Sequence, residues 1–387
     1  MVNIKKIVIV NNNMQIGGIQ KSLLNMLTAI SPKYDITLFL FSKHGELLGA
    51  VPENIKITEG GFLLSLLGIS QKEAAQRGKM ALLTRGLFVT FSKLFNNFAP
   101  INFIMLLSRK LKGFDIAISY MQNSSSKIFY GGANDFVLKN ISAPEKMAFI
   151  HCDFANYEGN NAHNKKLYRQ FDKVICVSKS CANIFAKEVN ISLEKVDFVP
   201  NFQNIDEIIK KSNVDTVNYD KDFFNIITVS RLGEEKGFIR AIRVVEALYN
   251  EGHKLKWHIV GDGAMSNRLK EYIKKNRLKK VVFLYGEQKN PYRFMKNADL
   301  FLLPSFHEAA PMVYGEAWIL GLPVLTTDTS SANEIVKENS IGVVCQNSEE
   351  GILNALRDIL INGISISPAK ANNRKAMEKI SLLLGGD

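Results

Sequence analysis

Cysteine and long apolar runs are scarce in this sequence, and each scarcity excludes a class of protein. The 387 residues include four cysteines, none in the C-x-x-C spacing of a zinc or redox site. A chain of this length needs no disulfides, so we expect free thiols in a reducing cytosol. No window approaches the roughly 18 uninterrupted apolar residues of a membrane span. The apolar run near the N-terminus is too short for a signal peptide and indicates a strand.

Two further motifs are missing. Residues 260–263 read VGDG, but no third glycine follows to complete the G-x-G-x-x-G fingerprint of a dehydrogenase. No cluster of His, Cys, Asp and Glu has metal-ligand spacing, so we expect no protein-bound metal and no cofactor. The two glycines of VGDG would still permit close backbone approach to a ligand.

Positive charge is concentrated in the first half of the chain. Residues 1–200 hold 24 Lys and Arg against 14 Asp and Glu, whereas residues 201–387 hold 25 against 23. This excess predicts an anionic partner for the first half, for which we expect a membrane surface and not nucleic acid.

Short β-branched runs alternate with helical patterns along the whole sequence. Examples are KKIVIV at 5–10, NIITVS at 225–230 and ADLFLLP at 298–304. Such alternation predicts an α/β protein with parallel sheets covered on both faces. The length suits two Rossmann-like domains, 1–200 and 201–369, followed by a C-terminal helix at 370–387. The polar segment 204–222 breaks the rhythm and marks the boundary.

The second half carries candidate phosphate ligands after its strands. Arg231 and Lys236 follow the strand that ends near Ser230, where open parallel sheets bind ligands. Two cations there would neutralise a diphosphate, although solvated side chains in a connection are the alternative.

The stretch HEAAPMVYGEA at 307–317 places two carboxylates around a helix start. Pro311 suits the first helical position, and the backbone N–H groups of Met312 and Val313 would then face an anion. Glu308 precedes the helix and Glu316 lies about 7–8 Å along its axis. The two carboxylates would bind hydroxyls at both ends of an extended ligand; two ordinary surface glutamates are the alternative.

The first half offers fewer candidates. Gly17 and Gly18 join a strand to a helix and would let the backbone turn tightly and approach a phosphate or sugar, or form an ordinary turn. His151 and Asp153 follow another strand, at the edge where a cleft would lie, although a lone histidine is more often structural.

Residues 71–113 are strongly basic, with eight Lys and Arg against one Glu. Apolar residues recur there at helical spacing, with Lys79, Arg85 and Lys93 outside the stripe; they are Met80, Leu83, Leu87, Phe91, Leu94 and Phe98. The pattern fits an amphipathic helix on an anionic membrane or, equally, a core helix with a basic solvated face.

These motifs taken together resemble glycosyltransferase family 4, retaining enzymes of the GT-B fold. The likeness rests on RLGEEKG, VGDG, HEAAPMVYGEA and GLPVLTTD, and more thinly on FIHCDF and the Gly17–Gly18 loop. Ala309 stands where the family often has glycine, and Ser330–Ser331 where it has Gly-Gly. The resemblance implies two Rossmann-like domains facing across a cleft, with the final helix crossing back to the first.

The resemblance also implies residue roles. Arg231 and Lys236 would hold the diphosphate of a nucleotide sugar, UDP-linked by family frequency, and Glu316 its ribose. Glu308 and His151 would act at the reaction centre, on the transferred sugar and near the acceptor. The backbone of Ala310, Pro311, Met312 and Val313 would lie near the sugar and phosphate. Gly17 and Gly18 would line the phosphate and acceptor side, and Tyr285 and Gly286 would meet the nucleotide base.

The expected function is therefore metal-independent, retaining transfer of a hexose or N-acetylhexosamine in cell-surface polysaccharide synthesis. The acceptor would be a saccharide or lipid-linked saccharide, with the enzyme peripheral at the cytoplasmic face of the cell membrane. Two alternatives stay open: a nucleotide-sugar epimerase of the same fold, and a non-catalytic binding subunit of a transferase pair.

Overall fold

The computed structural model describes residues 4–367 and 371–385, which form two compact units. The first unit comprises residues 1–202 and 374–387, and the second comprises 203–373. Each unit is a parallel sheet with helices in its connections, as the alternating pattern predicts. The boundary predicted between 369 and 370 lies outside the described residues.

Thirteen strands are present in the described residues. They are β1 (Lys6–Asn11), β2 (Asp35–Leu40), β3 (Lys56–Glu59), β4 (Ile116–Ser119), β5 (Glu145–Ile150), β6 (Lys173–Cys176), β7 (Val196–Phe198), β8 (Phe224–Val229), β9 (Leu255–Val260), β10 (Val282–Leu284), β11 (Leu300–Leu303), β12 (Val324–Thr327) and β13 (Gly342–Cys345).

The α-helices lie mostly in the connections between these strands. They are α1 (Gly18–Ile30), α2 (Phe62–Ser65), α3 (Gln71–Gln76), α4 (Lys79–Leu94), α5 (Phe98–Leu107), α6 (Ala133–Asn140), α7 (Ala162–Tyr168), α8 (Lys179–Val189), α9 (Ile205–Ser212), α10 (Phe238–Asn250), α11 (Ser266–Lys275), α12 (Tyr292–Met295), α13 (Met312–Ile319), α14 (Glu349–Asn362) and α15 (Arg374–Leu383). Short 3-10 helices occur at Leu48–Ala50, Leu66–Gly68, Phe154–Asn156, Leu193–Lys195 and Glu234–Lys236, and a π-helical turn at Asn333–Lys337.

The first unit has the strand order β3-β2-β1-β4-β5-β6-β7, with parallel pairing throughout. Its inner strands, such as β1 and β4, are almost continuously apolar because both faces of the sheet are covered there. Helix α15, distant in sequence, completes this core by burying Ala376 and Ile380, and Leu384 follows it into the same core.

The second unit has the order β10-β9-β8-β11-β12-β13, also parallel. Its order reverses between β8 and β11, and open parallel sheets bind ligands at the carboxyl edge of such a reversal point. The segment 204–222, interpreted from sequence as a boundary, in fact holds helix α9 and lies inside this unit. Helix α9 packs against α12 and α13, and its Ile208 is buried in the core of this unit.

The apolar stripe predicted over residues 80–98 is shorter than predicted, and it is exposed. The helix ends at Leu94, and Phe98 begins α5. The stripe faces solvent, so the interpretation as a core helix is wrong. Arg85, expected on the solvated basic face, is buried instead. Within residues 4–367 and 371–385, no helix combines the length and apolar character that crossing a bilayer requires.

Candidate active site

The best-defined polar cluster in the second unit lies where the strand order reverses. Lys236, in the turn after β8, places its Nζ 2.5 Å from Oε1 of Glu308, in the turn after β11. The Ser305 hydroxyl donates to the same oxygen at 2.6 Å. Only 17% of the Lys236 side chain and 10% of the Glu308 side chain are exposed, so water screens this pair weakly. Two predicted ligands thus meet in one shielded place.

Arg231 is positioned differently from Lys236, although both lie in the turn after β8. Its guanidinium donates to Glu235 at 2.8 Å, four residues on, and 75% of its side chain is exposed. The turn then closes at Gly237, whose φ of +68° opens α10. A Cβ on Gly237 would lie 2.1 Å from the Pro304 carbonyl, so only glycine lets the two turns approach.

Arg240 holds the loop that carries Glu308, a role that the sequence did not reveal. Its guanidinium donates to the carbonyl of Pro304 at 2.7 and 3.1 Å and to that of Ser305 at 2.8 Å. It also lies 3.9 Å from the centre of the Phe306 ring. Burial lowers the pKa of Arg240. The available signal was an arginine within the apolar positions of α10.

The start of α13 presents backbone donors close to this loop. The helix begins at Met312, so the N–H groups of Met312 and Val313 have no carbonyl of the preceding turn as partner. Pro311 caps the helix with ψ of 127°, one residue before the first helical position predicted for it, because its conformation is still extended. Ala310 lies partly buried in the turn before it.

Glu316 is more deeply buried than Glu308. It retains 4% exposure and accepts a hydrogen bond from the Tyr292 hydroxyl at 3.3 Å. Tyr292 belongs to α12 and itself lies in the core, so no sequence signal pointed to it. The two carboxylates therefore have separate hydrogen-bond partners, Glu308 in the loop before α13 and Glu316 in the second turn of the helix.

Tyr285 and Gly286 follow β10, one strand beyond β9. The Gly286 carbonyl accepts from the N–H of Gly261 at 2.8 Å, which ties the two strand ends together. The Tyr285 hydroxyl lies 3.0 Å from Nδ1 of His258. Gly261 has φ of +140°, and a Cβ there would lie 1.9 Å from the Ser230 carbonyl. The close approach expected at VGDG is thus made by the chain's own backbone.

In the first unit, His151 follows β5 directly. Its ring contacts the rings of Tyr120 and Phe149, with centroids 4.6 and 5.8 Å away. Burial lowers the pKa of His151 to about 3, so the imidazole is neutral at physiological pH. Its Nε2 is buried without a hydrogen-bond partner in residues 4–367 and 371–385. A buried acceptor or donor left unpaired in this way suits a ligand hydroxyl.

Gly17 and Gly18 do not make the tight turn expected of them. Gly17 caps α1 with φ of −174°, an extended conformation open to any residue, and Gly18 begins the helix. A Cβ on Gly18 would meet nothing within 4 Å. A Cβ on Gly17 would lie 2.6 Å from Oε1 of Gln20. Neither backbone strain nor packing explains Gly18, and the predicted approach of a ligand stays a prediction.

The described residues contain no group of three or more His, Cys, Asp and Glu that could hold a metal ion. All four cysteines are free thiols, three buried and Cys152 partly so.

The second unit is similar in sequence to known glycosyltransferases. Residues 205–379 match the family model of glycosyl transferases group 1. The match covers the second unit, with Lys236, Glu308 and Glu316, and extends into α15. An uncharacterized glycosyltransferase of Methanocaldococcus jannaschii is 34% identical over 168 residues, which are 42% of this chain and 41% of the relative.

A second relative carries a more specific name. The N-acetylgalactosamine-N,N'-diacetylbacillosaminyl-diphospho-undecaprenol 4-alpha-N-acetylgalactosaminyltransferase of Campylobacter jejuni is 27% identical over 222 residues, 56% of this chain and 59% of that protein. The matched segments therefore span about half the length of these glycosyltransferases.

Solved structures extend the likeness to both units. The Anabaena protein HepE, crystallised with UDP and glucose, aligns with a TM-score of 0.63 at 15% identity, over 98% of this chain and 95% of HepE. The lipopolysaccharide outer core galactosyltransferase WaaB aligns with a TM-score of 0.60 at 18% identity, over 94% and 92% of the two chains. These alignments confirm the predicted fold class of two parallel-sheet α/β domains.

Proposed function

We propose that the chain is a retaining glycosyltransferase that moves a hexose or N-acetylhexosamine from a nucleotide sugar to a saccharide or lipid-linked saccharide. The observation that carries the proposal is the Lys236–Glu308 pair, shielded at the reversal point of the sheet beside the start of α13. The match of this same segment to glycosyl transferases supports it, as do the names of the relatives.

In this proposal the donor diphosphate takes the place next to Lys236. The Lys236 ammonium binds a phosphate oxygen, either instead of Glu308 or in addition to it. The N–H groups of Met312 and Val313, at the positive end of the helix dipole, donate to the same diphosphate. Arg231 is exposed and pairs with Glu235 in the same turn, so it can turn toward the second phosphate. These groups supply the positive charge that the departing diphosphate needs, and no metal enters the scheme.

Glu308 and Glu316 then take separate hydroxyl groups. Glu308, released from Lys236 in part, accepts from hydroxyls of the transferred sugar, while Glu316 beside Tyr292 accepts from the ribose. A UDP donor is proposed because HepE was crystallised with UDP and glucose. Tyr285 and Gly286, after β10, would lie against the base.

Transfer with retention requires attack on the face from which the leaving group departs. The bond between the sugar's anomeric carbon and the phosphate oxygen breaks, and a new bond forms to the acceptor oxygen. The acceptor's proton passes to the departing phosphate oxygen, so no side chain needs to act as base. The protein positions the reactants and stabilises developing charge. Because His151 is neutral, it would form a hydrogen bond to a ligand hydroxyl through Nε2 and would not contribute a positive charge.

A thermal-shift panel of nucleotide diphosphates and their sugars tests donor binding. A ligand at 100 times its dissociation constant stabilises by about 2.7 kcal/mol, so UDP or a UDP-sugar should raise the unfolding temperature. Arg231→Ala and Lys236→Ala should remove the shift, and Lys279→Ala, an exposed lysine elsewhere in the second unit, should keep it. A shift that both site variants retain would mean that the phosphates bind elsewhere.

Turnover separates the proposal from its rivals. With a lipid-linked saccharide present, nucleotide release should accompany a product whose anomeric configuration, measured by NMR, equals that of the donor. Conversion of the donor without acceptor would indicate an epimerase. Binding with turnover only after a second chain is added would indicate a partner subunit. The relatives are named for transfer, which favours the first outcome.

A further inference from the structure

Helix α4 has its apolar stripe on the outside. Leu83 is 67% exposed and Leu87 73%, and Met80, Phe91 and Leu94 share this face. Monomeric soluble proteins rarely present aligned large apolar side chains in this way without a binding role. We call these five residues the apolar ridge.

The orientation of the helix is fixed from the other side. Ala81, Arg85 and Ser92 form its buried face. The Arg85 guanidinium donates to the carbonyl of Ile69 at 3.0 Å, to that of Phe129 at 3.2 Å and to the Gln71 side chain at 2.7 Å. Rolling the helix to bury the ridge would pull this cation from its acceptors. The outward position of the ridge is therefore a built feature.

Helix α5 repeats the arrangement immediately afterwards. It packs against α4 and buries Ile101, Ile104 and Met105, while Phe103, Leu106 and Leu107 are exposed. Leu106 is 82% exposed, the largest value among the exposed large apolar residues described. Two successive helices thus present apolar residues to solvent.

Basic residues outnumber acidic ones around these helices, although Lys139 pairs with the buried Asp135 at 3.1 Å. Between Glu73 and Asp115 the sequence contains no acidic residue. Lys79 and Lys93 are exposed on α4, outside the apolar ridge. An open pocket just after α5 is lined by four further lysines, Lys110, Lys112, Lys139 and Lys146. Apolar side chains bordered by cations match the two layers of an anionic bilayer surface, acyl chains beneath phosphates.

We propose that α4 and α5 dock on a membrane containing anionic phospholipids, with the apolar ridge inserted among the acyl chains and the lysines at the phosphates. The inference deepens the proposed function, because it names the surface at which a lipid-linked acceptor would be met. It can be tested without donor or acceptor, so its failure is distinct from failure of the proposed transfer.

A second copy of the chain is the competing occupant of this surface. Two such faces brought together would bury apolar area but would also oppose lysines to lysines with no acid nearby in sequence. Like charges at an interface disfavour association. Charge complementarity thus selects the membrane.

Vesicle flotation of the full chain provides the test. Vesicles containing phosphatidylglycerol should carry the protein, and vesicles of phosphatidylcholine alone should carry much less. Leu83→Ser with Leu87→Ser should lower the bound-to-free ratio about tenfold or more. Leu193→Ser with Ile361→Ser, also exposed apolar positions, should leave it unchanged.

Charge is examined with a second pair of variants. Lys79→Gln with Lys93→Gln should reduce binding to anionic vesicles about tenfold, whereas Lys279→Gln with Lys280→Gln should not. The proposal is overturned if the chain does not bind anionic vesicles, or if the variant with serine at Leu83 and Leu87 binds them as well as the parent. Sedimentation equilibrium decides against it if the chain is a dimer that the Leu83 and Leu87 changes convert to monomer.

Discussion

The ammonium of Lys236 lies 2.5 Å from a carboxylate oxygen of Glu308, although 72 positions separate the two residues in sequence. The pair joins the loops after two neighbouring strands, β8 and β11, at the one place where the order of the second sheet reverses. In the ligand-free protein each residue thus neutralises the other, and a bound diphosphate would compete for Lys236.

This arrangement predicts strong coupling between the two side chains. Lys236→Met or Glu308→Gln alone should lower the free energy of unfolding by about 2 kcal/mol, because each leaves a poorly solvated group without its partner. The double variant Lys236→Met with Glu308→Gln should lose clearly less than the sum of the single effects. Urea denaturation of all four proteins measures the coupling, and additive losses would show that the pair is energetically unimportant.

Arg240 should act on catalysis through the loop it holds. Arg240→Met leaves the Pro304 carbonyl without the guanidinium that donates to it and the Ser305 carbonyl with only the Thr327 hydroxyl among its described donors, and should cost about 2 kcal/mol of stability. We also expect a fall in kcat larger than the change in KM, since the position of Glu308 is disturbed. Arg243→Met, three residues on and exposed, is the control. Transfer unaffected by Arg240→Met would remove the positioning role.

The substitution Gly18→Ala tests whether a ligand approaches the backbone at the start of α1. Gly18→Ala adds a methyl group into open space at a helix start and should hold or raise stability by about 0.5 kcal/mol. If a ligand approaches this backbone, the rate of transfer should fall, while Gly49→Ala, equally unobstructed, should leave it unchanged. Undiminished transfer by Gly18→Ala would exclude contact there.

Gly261→Ala should behave as a folding defect. Its Cβ would lie 1.9 Å from the Ser230 carbonyl at a φ that disfavours side chains, so we expect a loss of more than about 2 kcal/mol in urea denaturation. Near-parental stability would mean that the β8 and β9 ends separate easily.

Stability should fall as the pH drops below neutrality. Burial lowers the pKa of His258 to about 4, with a smaller contribution from the charge of Lys256. Below the ordinary histidine pKa of about 6.5 the unfolded chain therefore binds more protons than the folded one, so this stabilisation is present above pH 6.5 and is lost as pH falls toward 4. One such histidine should cost about 2 kcal/mol between pH 7 and pH 5.

Denaturation at the two pH values checks this. His258→Gln should reduce the pH dependence of the unfolding free energy, because glutamine does not titrate, while the buried His151 keeps its own contribution. Equal slopes for the parent and His258→Gln would show that His258 titrates normally.

The strands were predictable because buried parallel strands form continuous apolar runs, as β1 and β11 do. Whether the apolar stripe of α4 faces protein or solvent was not predictable from the sequence. Periodicity places Leu83 and Leu87 on one face, yet it cannot tell whether protein or solvent lies opposite; the hydrogen bonds of Arg85 decide that. Glycine at 17 and 18 suggested a turn that extended and helical backbone conformations do not need.

The candidate site likewise contains residues that the sequence predicted and residues that it did not. Lys236 and Glu308 stood out because polar residues follow apolar strands, and strand ends converge in a parallel sheet. Arg240 and Tyr292 lie inside helices, and their partners are a loop backbone and a distant carboxylate. Such contacts depend on packing across elements, which local sequence does not encode.

The two ends of the second unit are fastened to each other: Gln203 donates its N–H to Asn373 at 2.9 Å, and the Asn373 side-chain amide returns a bond to the Gln203 carbonyl at 2.8 Å. The first unit, by contrast, needs Ala376, Ile380 and Leu384 for its core. During synthesis on the ribosome, the domain encoded second can therefore finish folding before the domain encoded first, which must wait for its last helix to emerge.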